Sequence, residues 1–144
     1  MCHNIPVRLI KCFEERLIHM KMSNENFQYT LDQHTLWLND KEGGFQAILR
    51  DEDLRHADFS GAILTEAILE NADLRGANFK GADLSFADLT FADLRGANFE
   101  GADLTGANLS WSDITGANFK GATLDRAVTD YLTNKGECVS VIEG

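Results

Sequence analysis

From Ala47 onward the chain repeats a five-residue pattern: Ala, then Asp or Asn, then Leu or Phe, then two variable positions. The Leu/Phe positions, here called centres, run from Leu49, Leu54 and Phe59 to Leu124, sixteen in succession without a slip. Alanine stands two residues before each centre, interrupted only by Glu52 and Ser112. Neither a heptad nor a 3.6-residue helical period fits this spacing. Alanine and centre flank one polar residue, so both point to the same side of a short extended segment. A segment that short cannot bury its apolar side alone and must stack on copies of itself. Glycine closes eight of the repeats, among them those ending at Gly61, Gly76 and Gly106, where a tight corner calls for positive φ or close backbone approach.

A second period sets the number of sides. Phenylalanine fills the centre only at 59, 79, 99 and 119, a spacing of twenty residues, or four repeats. One coil therefore has four walls, and the phenylalanines form a single column. Sixteen centres make about four coils, roughly 19 Å tall at about 4.8 Å per strand. The fold expected is all-β, a four-sided solenoid over residues 47–130.

The flanks read as caps over the open ends such a solenoid leaves. Phe27, Leu31, His34 and Leu38 follow helical spacing, with Ser23 or Asn24 as the start and Gly43-Gly44 as the stop. This predicts a helix over 25–40 within a cap spanning 23–46; a hairpin through Phe27-Tyr29-Leu31 and Leu36-Leu38 is the alternative. Tyr131 and the run Cys138 to Ile142 suit a strand-like closing cap in 131–144. Residues 1–22 are an extension in which Leu9, Ile10, Phe13, Leu17 and Met20 mark one face of an amphipathic helix. Met20 and Met22 offer alternative starts, and a product starting at Met22 would remove that helix.

The outward positions carry the individuality of the rod. Asp53, Asp73, Asp93 and Asp113 share a column, which a calcium site would also produce. Arg55, Arg75 and Arg95 stand two residues on and face the same way, so charge pairing is the better account of this stripe. The phenylalanine wall is polar and nearly neutral outside, with Asp58, Asn78, Asn98, Asn118, Lys80, Glu100 and Lys120. Elsewhere the pattern breaks. Ile48, Ile63 and Ile68 replace Asp or Asn, while Phe86, Phe91, Trp111 and Tyr131 occupy corner positions. Phe91, Trp111 and Tyr131 lie twenty residues apart, hence in one column, and Val128 joins the same side. Clustered apolar surface on a soluble protein marks contacts, with aromatic residues as anchors. Ile63, Ile68, Phe86, Phe91, Trp111 and Tyr131 are thus the candidate partner-binding residues. Either the chain's own termini cover this side, or it pairs with a second copy or a foreign protein.

Catalytic and cofactor readings find no support. The histidines at 3, 19, 34 and 56 are dispersed, with no cysteine or carboxylate at a catalytic spacing. Cys2, His3 and Cys12 make a poor metal set, and every glycine run belongs to the five-residue frame rather than to a phosphate loop. No enzyme activity, cofactor or metal is expected. No apolar stretch reaches the length of a membrane span, no secretory leader is visible, and three scattered cysteines fit a reducing cytoplasm. The net charge is −10 over 144 residues. Residues 45–130 hold fifteen acidic and seven basic side chains, a net of −8, which disfavours direct nucleic-acid binding and suits a basic protein surface.

The motif A(D/N)LXX over more than half the chain resembles the pentapeptide-repeat family. Segment 31–62, LDQHTLWLNDKEGGFQAILRDEDLRHADFSGA, looks like short bacterial and phage members whose repeats follow a small helical cap. The resemblance implies a right-handed quadrilateral β-helix with an N-terminal helical cap. It implies no single function: some members resist or inhibit DNA gyrase by presenting an acidic, DNA-like rod, and others are effectors. Two expectations follow. One is an acidic DNA-mimic modulator of a nucleic-acid enzyme such as gyrase. The other is a protein-interaction scaffold or effector module working through its apolar side. Only about four coils, arginine-balanced aspartates and the lack of an obvious long dimerisation module count against the gyrase version.

Overall fold

The computed structural model describes residues 24–134 and 137–139. The amphipathic segment expected over 1–21, the metal set at Cys2, His3 and Cys12, and residues 140–142 of the closing run lie outside them.

Each centre and its alanine turn inward because nothing else on the segment can leave water. The core is the resulting file of alanines, leucines and phenylalanines, from Ala47 and Leu49 to Phe119, with Leu132 at its end. Coils are joined by short parallel bridges between residues twenty apart, such as Asp53 with Asp73 and Asn78 with Asn98. Within a wall, the centre amide donates onward and the outward residue's amide donates back: Leu54 N–H to the Asp73 carbonyl at 2.9 Å, and Asp73 N–H to the Glu52 carbonyl at 3.0 Å. The chain winds as a right-handed quadrilateral β-helix. Wall 1 carries the centres Leu49, Leu69, Leu89 and Leu109, and wall 2 Leu54, Leu74, Leu94 and Ile114. Wall 3 carries the phenylalanines, and wall 4 Leu64, Leu84, Leu104 and Leu124. Phe59, Phe79, Phe99 and Phe119 stack nearly parallel, at 4.6, 4.8 and 4.8 Å between ring centres.

Each corner is a tight turn closed by a bond such as Ala57 N–H to the Leu54 carbonyl at 3.1 Å. Its third residue takes φ near +60°, as a type II turn requires. Glycine meets that demand without strain. At Gly106 it has a second reason: an added Cβ would lie 2.6 Å from Cε1 of Phe86, whose ring rests on that corner.

The N-terminal end is closed by a helix, not a hairpin. α1 spans Asn24–Leu38, within two residues of the bounds its apolar spacing predicts. Phe27 meets Phe59 edge-on at 4.8 Å, and Leu31 packs on the same core. His34 is buried, and its Nδ1 accepts the Ala47 amide at 3.0 Å. Nε2 therefore carries the proton, and it closes no hydrogen bond of good geometry among the described residues. Burial holds the imidazole below its ordinary value, against smaller opposing pulls from the Thr65 carbonyl and Glu66. At the other end β1 (Leu132–Asn134) continues wall 2 and pairs antiparallel with β2 (Glu137–Val139). Cys138 and Val139 of the expected closing run thus form a strand, whereas Tyr131 stands outside it at a corner. No helix among the described residues is long and apolar enough to cross a membrane.

Candidate functional site

The charged stripe lies along wall 2, where the outward aspartates stack one coil apart. Each arginine makes a two-pronged contact with the aspartate two residues before it. Arg55 donates Nε to Oδ1 and Nη2 to Oδ2 of Asp53, both at 2.7 Å, and Arg75 holds Asp73 the same way at 2.8 and 2.6 Å. Arg95 grips Asp93 at 2.7 and 2.5 Å. Each Nε also faces the next coil's aspartate, at 3.6 Å to Asp73, 3.6 Å to Asp93 and 3.8 Å to Asp113. Seven side chains thus alternate in sign along the rod. Hydrogen bonds from Arg75 and Arg95 hold the carboxyls of Asp73 and Asp93 below the usual range, and the guanidiniums are pushed up in turn. Carboxylates engaged by arginine have little left to offer a cation. No cluster of three or more potential ligands among the described residues is arranged to hold a metal.

Acid without a cationic partner among the described residues lies on wall 4 and on wall 1. Asp83 accepts the Ser85 amide at 2.9 Å and hydroxyl at 2.5 Å, and Asp103 accepts those of Thr105 at 2.9 and 2.6 Å. Burial pushes the Asp83 carboxyl up, but its hydrogen bonds to Ser85 and Thr65 outweigh that and leave it lowered. Asp88 accepts both groups of Thr90 in the same manner. None of these three is within ion-pair distance of a described lysine or arginine.

The aromatic residues form a second column at the corner between walls 1 and 2. Phe91 and Trp111 stack at 6.1 Å and 21°, and Trp111 and Tyr131 at 4.1 Å and 17°. Their side chains remain open to solvent, with relative exposures of 53%, 51% and 58%. All three have φ between +57° and +64°, in the left-handed region. A bulky residue there costs about 1–2 kcal/mol relative to right-handed backbone, so the fold itself does not call for these rings. Across the corner the column borders the stripe, since Asp93 and Asp113 follow Phe91 and Trp111 by two residues. On the wall 1 side Asp88 precedes Phe91 by three residues, and Asp130 directly precedes Tyr131 at the corner.

The remaining candidate residues disperse. Phe86 sits at the far corner of wall 1 with its ring laid on Gly106. Ile68 is half-buried on wall 1, between exposed Ile48 and Asp88. Ile63 lies on wall 4, away from the column, in an open cleft of about 280 Å³ between α1 and the first coil, with Gln28, Asp32 and Thr35 opposite. Sequence reasoning missed one exposed aromatic pair, Tyr29 with Phe45 at 6.1 Å. The signal was present for Tyr29, which falls off the Phe27-Leu31-His34 stripe. Phe45 precedes the repeat frame and has none.

A family profile described as pentapeptide repeats matches residues 53–90 and 82–121, in eight copies. Among solved structures, a pentapeptide repeat protein from the cyanobacterium Cyanothece 51142 is similar at 35% identity. The match covers 63% of this chain and 59% of that one, with a TM-score of 0.58. A pentapeptide repeat protein of the Arabidopsis thaliana thylakoid lumen is 39% identical over 56% of this chain and 60% of its own, at a TM-score of 0.39. HetL, a pentapeptide repeat protein involved in heterocyst differentiation regulation in Nostoc sp. strain PCC 7120, is 31% identical. That match covers 64% of this chain and 49% of HetL, at a TM-score of 0.39. The chain therefore spans about half to three-fifths of the length of these relatives. No curated protein matches it.

Proposed function

Because residues 53–121 place the chain in the pentapeptide-repeat family, we propose that it is a non-catalytic cytoplasmic binding protein, its rod holding an aromatic strip against a protein partner. The observation that carries this reading is the Phe91-Trp111-Tyr131 column, stacked and half-exposed on backbone that disfavours large residues. Stacked rings present their edges outward as one stiff ridge with little side-chain entropy left to lose on binding. With Asp88 and Asp130 beside it, the ridge suits an apolar groove rimmed by lysine or arginine. The test is affinity capture from the source organism with wild-type protein and with Phe91→Ser/Trp111→Ser. A protein held by the wild type and by a Lys80→Glu control, but lost with the double variant, supports the reading. Equal capture by all three rejects it.

A second reading, the acidic DNA mimic, draws on Asp83 and Asp103 along wall 4, which meet no lysine or arginine among the described residues, and on the net of −8 over residues 45–130. It predicts inhibition or protection of DNA gyrase in a supercoiling assay. The absence of any effect at micromolar protein sinks it.

A further inference from the structure

We propose, resting on the reading of the ridge as a binding surface, that its occupant is a second copy of the chain, laid against wall 2 with the two rods side by side and parallel. Across wall 2 the outward positions form four columns, each repeated once per coil. The first is the corner column that starts at Asp51 and ends in the ridge. The aspartates come next, then the arginines, then the second corner, held by His56, Gly76, Gly96 and Gly116. A half-turn about an axis parallel to the rod reverses this order and keeps every height. The ridge then meets the partner's second corner, and each aspartate column meets an arginine column. The face is complementary to itself, as a closed pair requires. An antiparallel pair would instead set aspartate on aspartate and ring on ring.

Each column suits the one it meets. Phe91 and Trp111 come opposite Gly96 and Gly116 of the second copy, and both glycines are exposed. A Cβ added at Gly96 would meet nothing within 4 Å, and one at Gly116 nothing nearer than the Gly96 amide nitrogen at 4.0 Å. The second corner is therefore a bare backbone shelf at the heights where the first carries these rings. At the first coil, where the first corner holds Asp51, the second holds His56, so a carboxylate faces an imidazole. Between the corners each arginine grips its own aspartate through Nε and Nη2. The Nη1 side of each half-exposed guanidinium is left for a carboxylate across the axis, at the heights of Asp53, Asp73 and Asp93. Such ion pairs fix register and orientation, while burial of the rings supplies the attraction. A face about 19 Å tall and one wall wide lies at the low end of specific interfaces, so association in the micromolar range is expected.

Sedimentation of the full chain between about 1 and 100 µM should show a concentration-dependent dimer. Gly96→Asn/Gly116→Asn fills the shelf with a residue that left-handed corners accept, as Asn71 does at φ +58°. It should weaken the dimer by about tenfold or more and leave the circular dichroism unchanged. Arg75→Asp/Arg95→Asp sets acid against acid across the axis and should do the same. Adding Asp73→Arg and Asp93→Arg to that variant exchanges the two columns and should bring self-association back. The exchanged chain should pair with itself and reject the wild type, an outcome that a folding defect does not imitate. A monomer throughout the range overturns the proposal. So does a dimer indifferent to both double variants, or an exchanged chain that pairs equally well with the wild type. The ridge reading is decided separately, by whether any protein captured on the wild type, this chain included, is lost with Phe91→Ser/Trp111→Ser.

Discussion

The rod holds two aromatic columns with the same twenty-residue period and different surroundings. In the inner one Phe59, Phe79, Phe99 and Phe119 stack within 7° of parallel, and the first three are at most 1% exposed. In the outer one Phe91, Trp111 and Tyr131 stack less regularly, at 17–21°, and are about half exposed. Period alone puts rings in register, because any residue repeated every twenty positions meets its copy one coil away. What separates the columns is the position inside the repeat. A centre points into the core, where a ring is the main apolar payload. A corner points to water on left-handed backbone, where a ring brings strain and little burial. The inner column is therefore explained by folding, and the outer one needs another explanation.

The sharpest way to break the comparison is to remove a ring from the inner column. Phe99→Ala leaves a cavity between two coils and should cost about 3–5 kcal/mol, read as a lower urea midpoint with an unchanged m value. Phe91→Ala, the same deletion on the outer column, should cost under about 1 kcal/mol because little buried area is lost. Equal losses would mean that the outer column is part of the core.

A corner between the columns should respond next most strongly. Gly106→Ala puts a Cβ on backbone at φ +67°, 2.6 Å from the Phe86 ring. It should lower stability by about 1–2 kcal/mol from backbone strain alone, plus the cost of displacing the ring. Adding Phe86→Ala should recover only the ring's share. Full recovery in the double variant would show that the strain term is negligible.

The seat of the inner column depends on pH through His34. The folded cap holds the neutral imidazole, whose Nδ1 accepts the Ala47 amide, and its pKa lies below that of the unfolded chain. As pH falls below about 6.5 the unfolded chain binds the proton first, so stability falls until the folded-state pKa is reached. Thermal unfolding between pH 7.5 and 5.5 should show Tm falling as the pH is lowered. His34→Gln keeps an acceptor and should flatten that slope. The lowered carboxyls of Asp73 and Asp93 lose their contribution only at more acid pH, outside this window.

The division between legible and hidden follows the same line. Alanines, centres and the phenylalanine period state the walls, the coil and the core, because each inward residue answers to a neighbour at a fixed spacing. α1 was readable from Phe27, Leu31 and His34 for the same reason. The membership of the outer surface was not. Ile63 and Trp111 both break the repeat, yet one faces the cleft beside α1 and the other the ridge. A broken repeat announces exposure without saying which neighbours share it, since that depends on the wall and on what the cap covers. Phe86 shows the limit in one residue: its ring lies down on Gly106 instead of joining a ridge. The antiparallel turn of β2 was equally hidden, because a reversal at the end of a rod leaves no mark in the five-residue frame.

The smallest expected change in stability carries the most information. Trp111→Gly should relieve about 1–2 kcal/mol of left-handed strain and forfeit about 0.5–1.5 kcal/mol for each of its two stacking contacts. The opposing contributions nearly cancel, so Tm should move by no more than a few degrees in either direction. Circular dichroism and the urea m value should also match the wild type, since no core side chain is touched. Partner capture should nevertheless fall sharply, because the ridge loses its middle ring and Phe91 and Tyr131 no longer share a continuous edge. A large loss of stability would instead place Trp111 among the groups that hold the coils together. The outer column would then be a second core exposed at its margin, and the reason for seeking a partner there would disappear.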